Sequence, residues 1–136
     1  MTLIQDTDVK SKAFDDLIKW INQIINLYTI SDPLETFQFI VEKQTITSLI
    51  IEAHDKITNL FPNEKLGLEV KTEPEIAESR SLWITIYTKL EVDEAFEKLT
   101  ILDDTWWLEA ITSVPKSNLH INLEWESNEI WLVWVF

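Results

Sequence analysis

From Ser11 to Tyr28 the apolar positions Phe14, Leu17, Ile18, Ile21, Ile24, Ile25 and Tyr28 recur at intervals suited to one helical face. That spacing predicts an amphipathic helix, with residues 1–10 as a frayed polar terminus. Ser31-Asp32-Pro33-Leu34-Glu35 predicts a second helix start, with Asp32 as N-cap, Pro33 in the first turn and Glu35 closing a capping box. Leu34, Phe37, Ile40 and Val41 supply its stripe. Thr45 or Thr47 caps a third helix, whose stripe is Ile46, Leu49, Ile50, Ala53, Ile57 and Leu60. Glu52 and Lys56 are spaced as an i,i+4 ion pair on its outer side. Pro62 disfavours helix at Phe61 and ends it.

Beyond Pro62 the period changes to two. Leu66, Leu68, Val70 and Thr72 alternate with Gly67, Glu69 and Lys71; after a polar loop, Leu82, Ile84, Ile86 and Thr88 alternate with Trp83, Thr85 and Tyr87. Two such runs joined by a short loop predict an antiparallel pair. Thr88-Lys89-Leu90-Glu91 reads as another capping box, followed by acidic residues at Asp93 and Glu94 where the helix dipole favours them. Val92, Ala95, Phe96, Leu99 and Leu102 are the buried stripe of that helix. Asp103-Asp104 is expected to break or recap it before Trp106-Trp107-Leu108. Leu119, Ile121, Leu123 and Trp125 then alternate with His120, Asn122 and Glu124, and Ser127-Asn128 turns the chain into Ile130–Phe136, apolar on both faces. The expected architecture is one α+β domain over residues 1–136. N-terminal helices precede β-β-α-β-β, with a four-stranded, mostly antiparallel sheet and helices mainly on one face.

Composition narrows the function classes. Apolar residues make up 46% of the chain, enough for a core without staples, and there is no cysteine. Eleven basic residues against 24 acidic give a formal charge of −13, and only Arg80 is arginine. That balance argues against nucleic acid, whose phosphates demand cations. The single glycine, Gly67, leaves no room for a phosphate-cradling loop. No run is long and apolar enough to span a membrane, and the polar N-terminus lacks the apolar stretch of a secretory signal, so the chain reads as cytoplasmic. No spacing of His and carboxylates marks a metal centre, and no nucleophile motif marks a catalytic one. We therefore expect no cofactor, metal or catalytic residue.

Seven tryptophans remain to be explained. On the sheet face opposite the helices, Trp83, Tyr87, His120 and Glu124 fall together as a mixed contact platform, although cross-strand pairing within the sheet accounts for the same residues. Trp131 and Trp134, in a terminal run apolar on both sides, require either helical cover or a second chain. Neighbouring Trp106 and Trp107 diverge by about 100° on a helix, so one is expected in the core and the other at its margin. The leading expectation is a non-enzymatic protein-binding or regulatory module, engaging a protein partner or a second copy as a homodimer. Its expected partner or ligand surface is Trp83, Tyr87, His120, Glu124, Trp131 and Trp134. The alternative is a small-molecule binder or enzyme with a pocket on the open sheet face.

Several segments together resemble a family of small acidic cyanobacterial proteins of unknown function. They are Phe61-Pro62, Leu66-Gly67-Leu68-Glu69-Val70-Lys71-Thr72-Glu73-Pro74-Glu75, Ile86-Tyr87-Thr88, Asp93-Glu94-Ala95, and Leu119-His120-Ile121-Asn122-Leu123-Glu124. The most specific is Leu102-Asp103-Asp104-Thr105-Trp106-Trp107-Leu108, an acidic turn followed by Trp-Trp-Leu. The resemblance covers about half of the chain. It implies an uncharacterised cytosolic protein with an antitoxin-like association, and supplies no catalytic residues.

Overall fold

A computed structural model describes residues 2–73, 75 and 80–125, with side chains from Lys12 onward. Trp131 and Trp134, and with them the expected final strand, lie outside the described residues. The elements follow the order α1 (Thr2–Leu27), β1 (Thr29–Ile30), α2 (Pro33–Glu42), α3 (Thr47–Leu60), β2 (Lys65–Lys71), β3 (Ser81–Thr88), α4 (Val92–Leu102), α5 (Leu108–Thr112) and β4 (Leu119–Trp125). A 3₁₀ turn, Gln44–Ile46, leads into α3, and a π-helical turn, Asp103–Trp107, joins α4 to α5. None of the helices among the described residues is long and apolar enough to cross a membrane.

The α+β architecture stands, but the sheet is mixed rather than mostly antiparallel. Its order is β1-β2-β3-β4, and two of its three pairings, β1 with β2 and β3 with β4, are parallel. Parallel neighbours need a long crossover. The helical run from Val92 to Thr112 provides one, carrying the chain back along the sheet so that β4 starts beside the start of β3. α2 and α3 do the same between β1 and β2. Helical periodicity announces these helices but says nothing about which end of the sheet they return to.

Helix starts also depart from expectation. α1 begins at Thr2, not Ser11, because polar residues extend an existing helix without needing a core. Asp32 is the N-cap of α2 but sits in the left-handed region (φ 49°), and its side chain caps nothing. Glu35 turns instead toward Arg80, at 3.9 Å, and the Arg80 guanidinium donates to Glu42 at 3.2 Å. The only arginine of the chain thus ties α2 to the entry of β3. At α3 the Thr47 hydroxyl donates back to the Gln44 carbonyl at 2.7 Å, and Ile46 holds the N-cap position. At α4 the cap is Glu91, while Thr88 Oγ1 accepts from the Leu90 amide at 3.1 Å.

The core lies between the helical layer and one sheet face. Leu66, Leu68, Leu82, Ile84, Ile86 and Leu119 meet Ile24, Phe39, Ile40, Ile50, Ile57 and Phe61, all buried. Tyr28 reaches into this core and donates its hydroxyl to the Ile50 carbonyl at 2.6 Å. Burial pushes the Tyr28 phenol far above its ordinary pKa, with the Asp55 charge adding to the shift. Trp125, half-buried, closes the end of β4 by donating its indole N–H to the Leu90 carbonyl at 2.9 Å.

Candidate functional site

The register brings the predicted sheet residues together in rows. Trp83 is opposite His120, Thr85 opposite Asn122 and Tyr87 opposite Glu124. Trp83 and His120 stack with ring centroids 4.6 Å apart and planes 28° from parallel. From the strand on the other side of β3, Lys71 Nζ lies over the Trp83 ring at 4.8 Å, and Lys65 Nζ lies over Tyr87 at 5.2 Å. The Trp83 indole N–H donates to Ser81 Oγ at 2.9 Å, and Thr85 Oγ1 donates to Asn122 Oδ1 at 2.8 Å. The ring faces of Trp83 are therefore occupied by neighbouring strands, and each cation–π contact contributes about 0.5–1 kcal/mol to the sheet. Lysines 65 and 71 balance Glu69 and Glu124, so this face carries little net charge.

Gly67 has its explanation here. It has no left-handed φ, so its value is space. A Cβ at this position would stand 3.0 Å from Tyr87 Cε2, because the tyrosine ring lies across the glycine. The glycine and the tyrosine are a cross-strand pair read only from the register, since Gly67 pairs with Thr85 while Tyr87 reaches over from two positions away.

A second site was not legible as one in the sequence. Asp103-Asp104 neither break nor recap the helix. Asp103 and Leu108 keep right-handed helical angles (−60°, −51° and −61°, −41°), and the chain passes between them as a π turn. Such turns insert one residue into a helix and recur at functional sites. This one buries Trp107 in the core and leaves Trp106 half-buried, the two rings 5.5 Å apart and tilted by 45°. The Trp106 indole N–H donates to Glu52 Oε1 of α3 at 2.8 Å. Glu52 is thus held by tryptophan rather than by Lys56, with which it makes no ion pair among the described residues.

Between α3 and the π turn runs a groove of about 370 Å³. Leu49, Ala110 and Val114 supply apolar lining, Trp106 a wall, and Glu52 and Glu109 two exposed carboxylates. No cation lines it. An apolar stem ending in a positive head suits such a surface, since the stem covers the aliphatic lining and the head meets carboxylate and indole. The Trp-Trp pair was the one sequence signal pointing here. Glu52 lies 54 positions away, and no local pattern joins the two.

Asp103, at the start of the π turn, has its carboxyl pKa raised, first by burial and then by the neighbouring Asp104 charge. A carboxyl raised on folding binds its proton more tightly in the folded state. Stability therefore falls as pH rises from the ordinary aspartate range of about 3.9 through the raised value, and the penalty persists above it. Asp103→Asn should melt higher than the parent at about pH 7, with the difference gone near pH 3. Equal melting temperatures at the higher pH would show that Asp103 carries no such penalty.

Among groups of three or more His and carboxylate side chains, none within the described residues is arranged to hold a metal ion. The chain matches no protein-family model, no curated protein and no solved structure.

Proposed function

We propose that this protein is a non-enzymatic binding module that regulates or scaffolds a basic protein partner, gripping a lysine or arginine side chain in the Trp106 groove. The observation that carries the reading is the pairing of an indole wall with Glu52 and Glu109, neither of which has an ion-pair partner among the described residues. The formal charge of −13 supports it by steering a cationic partner toward the domain from a distance. In the bound complex each carboxylate contributes about 0.2–1 kcal/mol while it stays solvated.

The test compares capture from the native host by the parent and by the Glu52→Gln/Glu109→Gln variant, with captured proteins identified and ranked by isoelectric point. A basic protein should be retained by the parent and weakened about tenfold by the double substitution, which corresponds to about 1.4 kcal/mol. Identical capture by both, or a set of partners without basic character, would sink the idea.

A further inference from the structure

One cavity reverses the charge of the chain. It has a volume of about 550 Å³ and lies where the end of α2, the entry of β3 and the segment before β4 meet. Phe39, Glu42, Lys43, Arg80, Lys116 and Asn118 line it. Three of these residues are cations and one is a carboxylate, in a chain with 24 acidic residues and 11 basic. Local structure holds the cations in place. Lys43 Nζ donates to the Lys116 carbonyl at 3.0 Å, and Asn118 Nδ2 donates to the Arg80 carbonyl at 3.3 Å. Lys116 and Asn118 take left-handed backbone angles (φ 61° and 51°). Asparagine adopts them readily, but for lysine they are uncommon and persist only where the surroundings enforce them.

The fold itself uses part of this charge. Lys43 stands at the C-terminal end of α2, where the helix dipole favours a cation, and Arg80 donates to Glu42 at 3.2 Å. The rest is unspent. Lys43 and Lys116 have no ion pair among the described residues. Arg80 Nε and Nη2 are buried with no hydrogen-bond acceptor among those residues, and Glu35, at 3.9 Å from Nε, is too far to accept. Lys43, Arg80 and Lys116 less Glu42 leave a formal +2; counting Glu35 as well leaves +1, so the surplus is positive either way.

We infer that this cavity binds a small oxyanionic metabolite, its charge carried on phosphate or carboxylate oxygens. The rest of the chain repels an anion, but the Debye length is about 8 Å at physiological salt. Carboxylates farther off are therefore largely screened, while the lining cations act at close range. Phe39 narrows the ligand class. It is the only ring among the described lining residues, it is buried, and Lys43 and Arg80 lie over it at 5.9 and 5.6 Å. A ring so covered offers no stacking face for a nucleobase, which leaves compact, wholly polar anions. The cavity shares no lining residue with the Trp106 groove and does not depend on the reading of that groove.

The experiment is isothermal titration calorimetry of the full chain at about 0.15 M salt, with inorganic phosphate and succinate as separate probes and thermal melts of every variant. At least one probe should bind one-to-one with a dissociation constant of about 10 mM or tighter. Lys43→Gln/Lys116→Gln should weaken that binding at least about tenfold. Lys116→Gln alone keeps the backbone carbonyl that receives Lys43; it should weaken binding about threefold and covers the case in which the double variant does not fold. Lys19→Gln/Lys56→Gln removes the same charge at exposed sites outside the cavity and should leave the affinity within about twofold. Binding of phosphate alone assigns a phosphate ligand, binding of succinate alone a carboxylate, and binding of both a site that reads charge without distinguishing the two. Absence of binding by either probe, binding that the folded cavity variants leave unchanged, or binding weakened equally by Lys19→Gln/Lys56→Gln overturns the inference.

Discussion

Phe61→Ala should destabilise the domain by about 3–5 kcal/mol, the range for removing a buried phenylalanine ring. Phe61 is fully buried at the end of α3, where its amide donates to the Ile57 carbonyl at 2.7 Å. Pro62 follows, and Asn63 takes a left-handed turn (φ 67°) into β2. The ring therefore sits where the helical layer passes into the sheet. The helix end, the proline and the turn hold the surrounding backbone, so the space left by alanine collapses poorly and the cavity cost adds to the lost burial. A domain of this kind is held by about 5–15 kcal/mol, so the substitution removes a large part of its stability. Urea titration should show a lower midpoint with little change in slope. Leu34→Ala, at the opposite extreme of exposure, should stay within about 0.5 kcal/mol of the parent. A Phe61→Ala cost below about 1 kcal/mol would mean that the ring is not a core group.

Trp107→Ala should cost about 3–5 kcal/mol, and Trp106→Ala markedly less. The two residues are neighbours in sequence, so composition and propensity treat them alike. The π turn separates them. Trp107 is only 8% exposed and belongs to the core cluster, whereas Trp106 lies at its margin with its indole tied to Glu52. Losing Trp106 forfeits one hydrogen bond to a charged acceptor, about 1.5–3 kcal/mol where water is excluded and less at this half-exposed position, together with part of its burial. Denaturant titration of both alanine variants checks the assignment. Equal costs, or the larger cost at Trp106, would show that the helix passes Asp103–Trp107 in another register. Trp106→Ala has a second consequence, since it removes one wall of the acidic groove while leaving the fold largely intact.

Much of the fold was legible because its signals are local. The alternation through Leu66–Val70, Leu82–Ile86 and Leu119–Leu123 marks three strands and also assigns their faces. The residues predicted on the outer face, including Trp83, Tyr87, His120 and Glu124, pair there in register. The stop at Phe61-Pro62 and the acidic first turn of α4 were equally readable. β1 was not, because a strand of two residues shows no period. The capping boxes failed for another reason. The side chains expected to cap found tertiary partners, as Glu35 did in Arg80, or a nearer backbone group, as Thr88 did in the Leu90 amide.

The amino-acid sequence by itself determined the longer helices and the strands β2, β3 and β4, and which side of those three strands is apolar, because these follow from side-chain spacing over a few residues. Only the tertiary structure decided strand direction, since that depends on where a whole crossover helix delivers the chain. It alone decided that the inner stripe of α1 enters the core while Phe14, Ile18 and Ile25 stay outside, because the breadth of the layer beneath, not the helix, limits how much of an apolar arc is covered. It likewise separated Trp106 from Trp107 and brought Glu52 to the indole, a contact set by packing between α3 and the π turn rather than by any pattern along the chain.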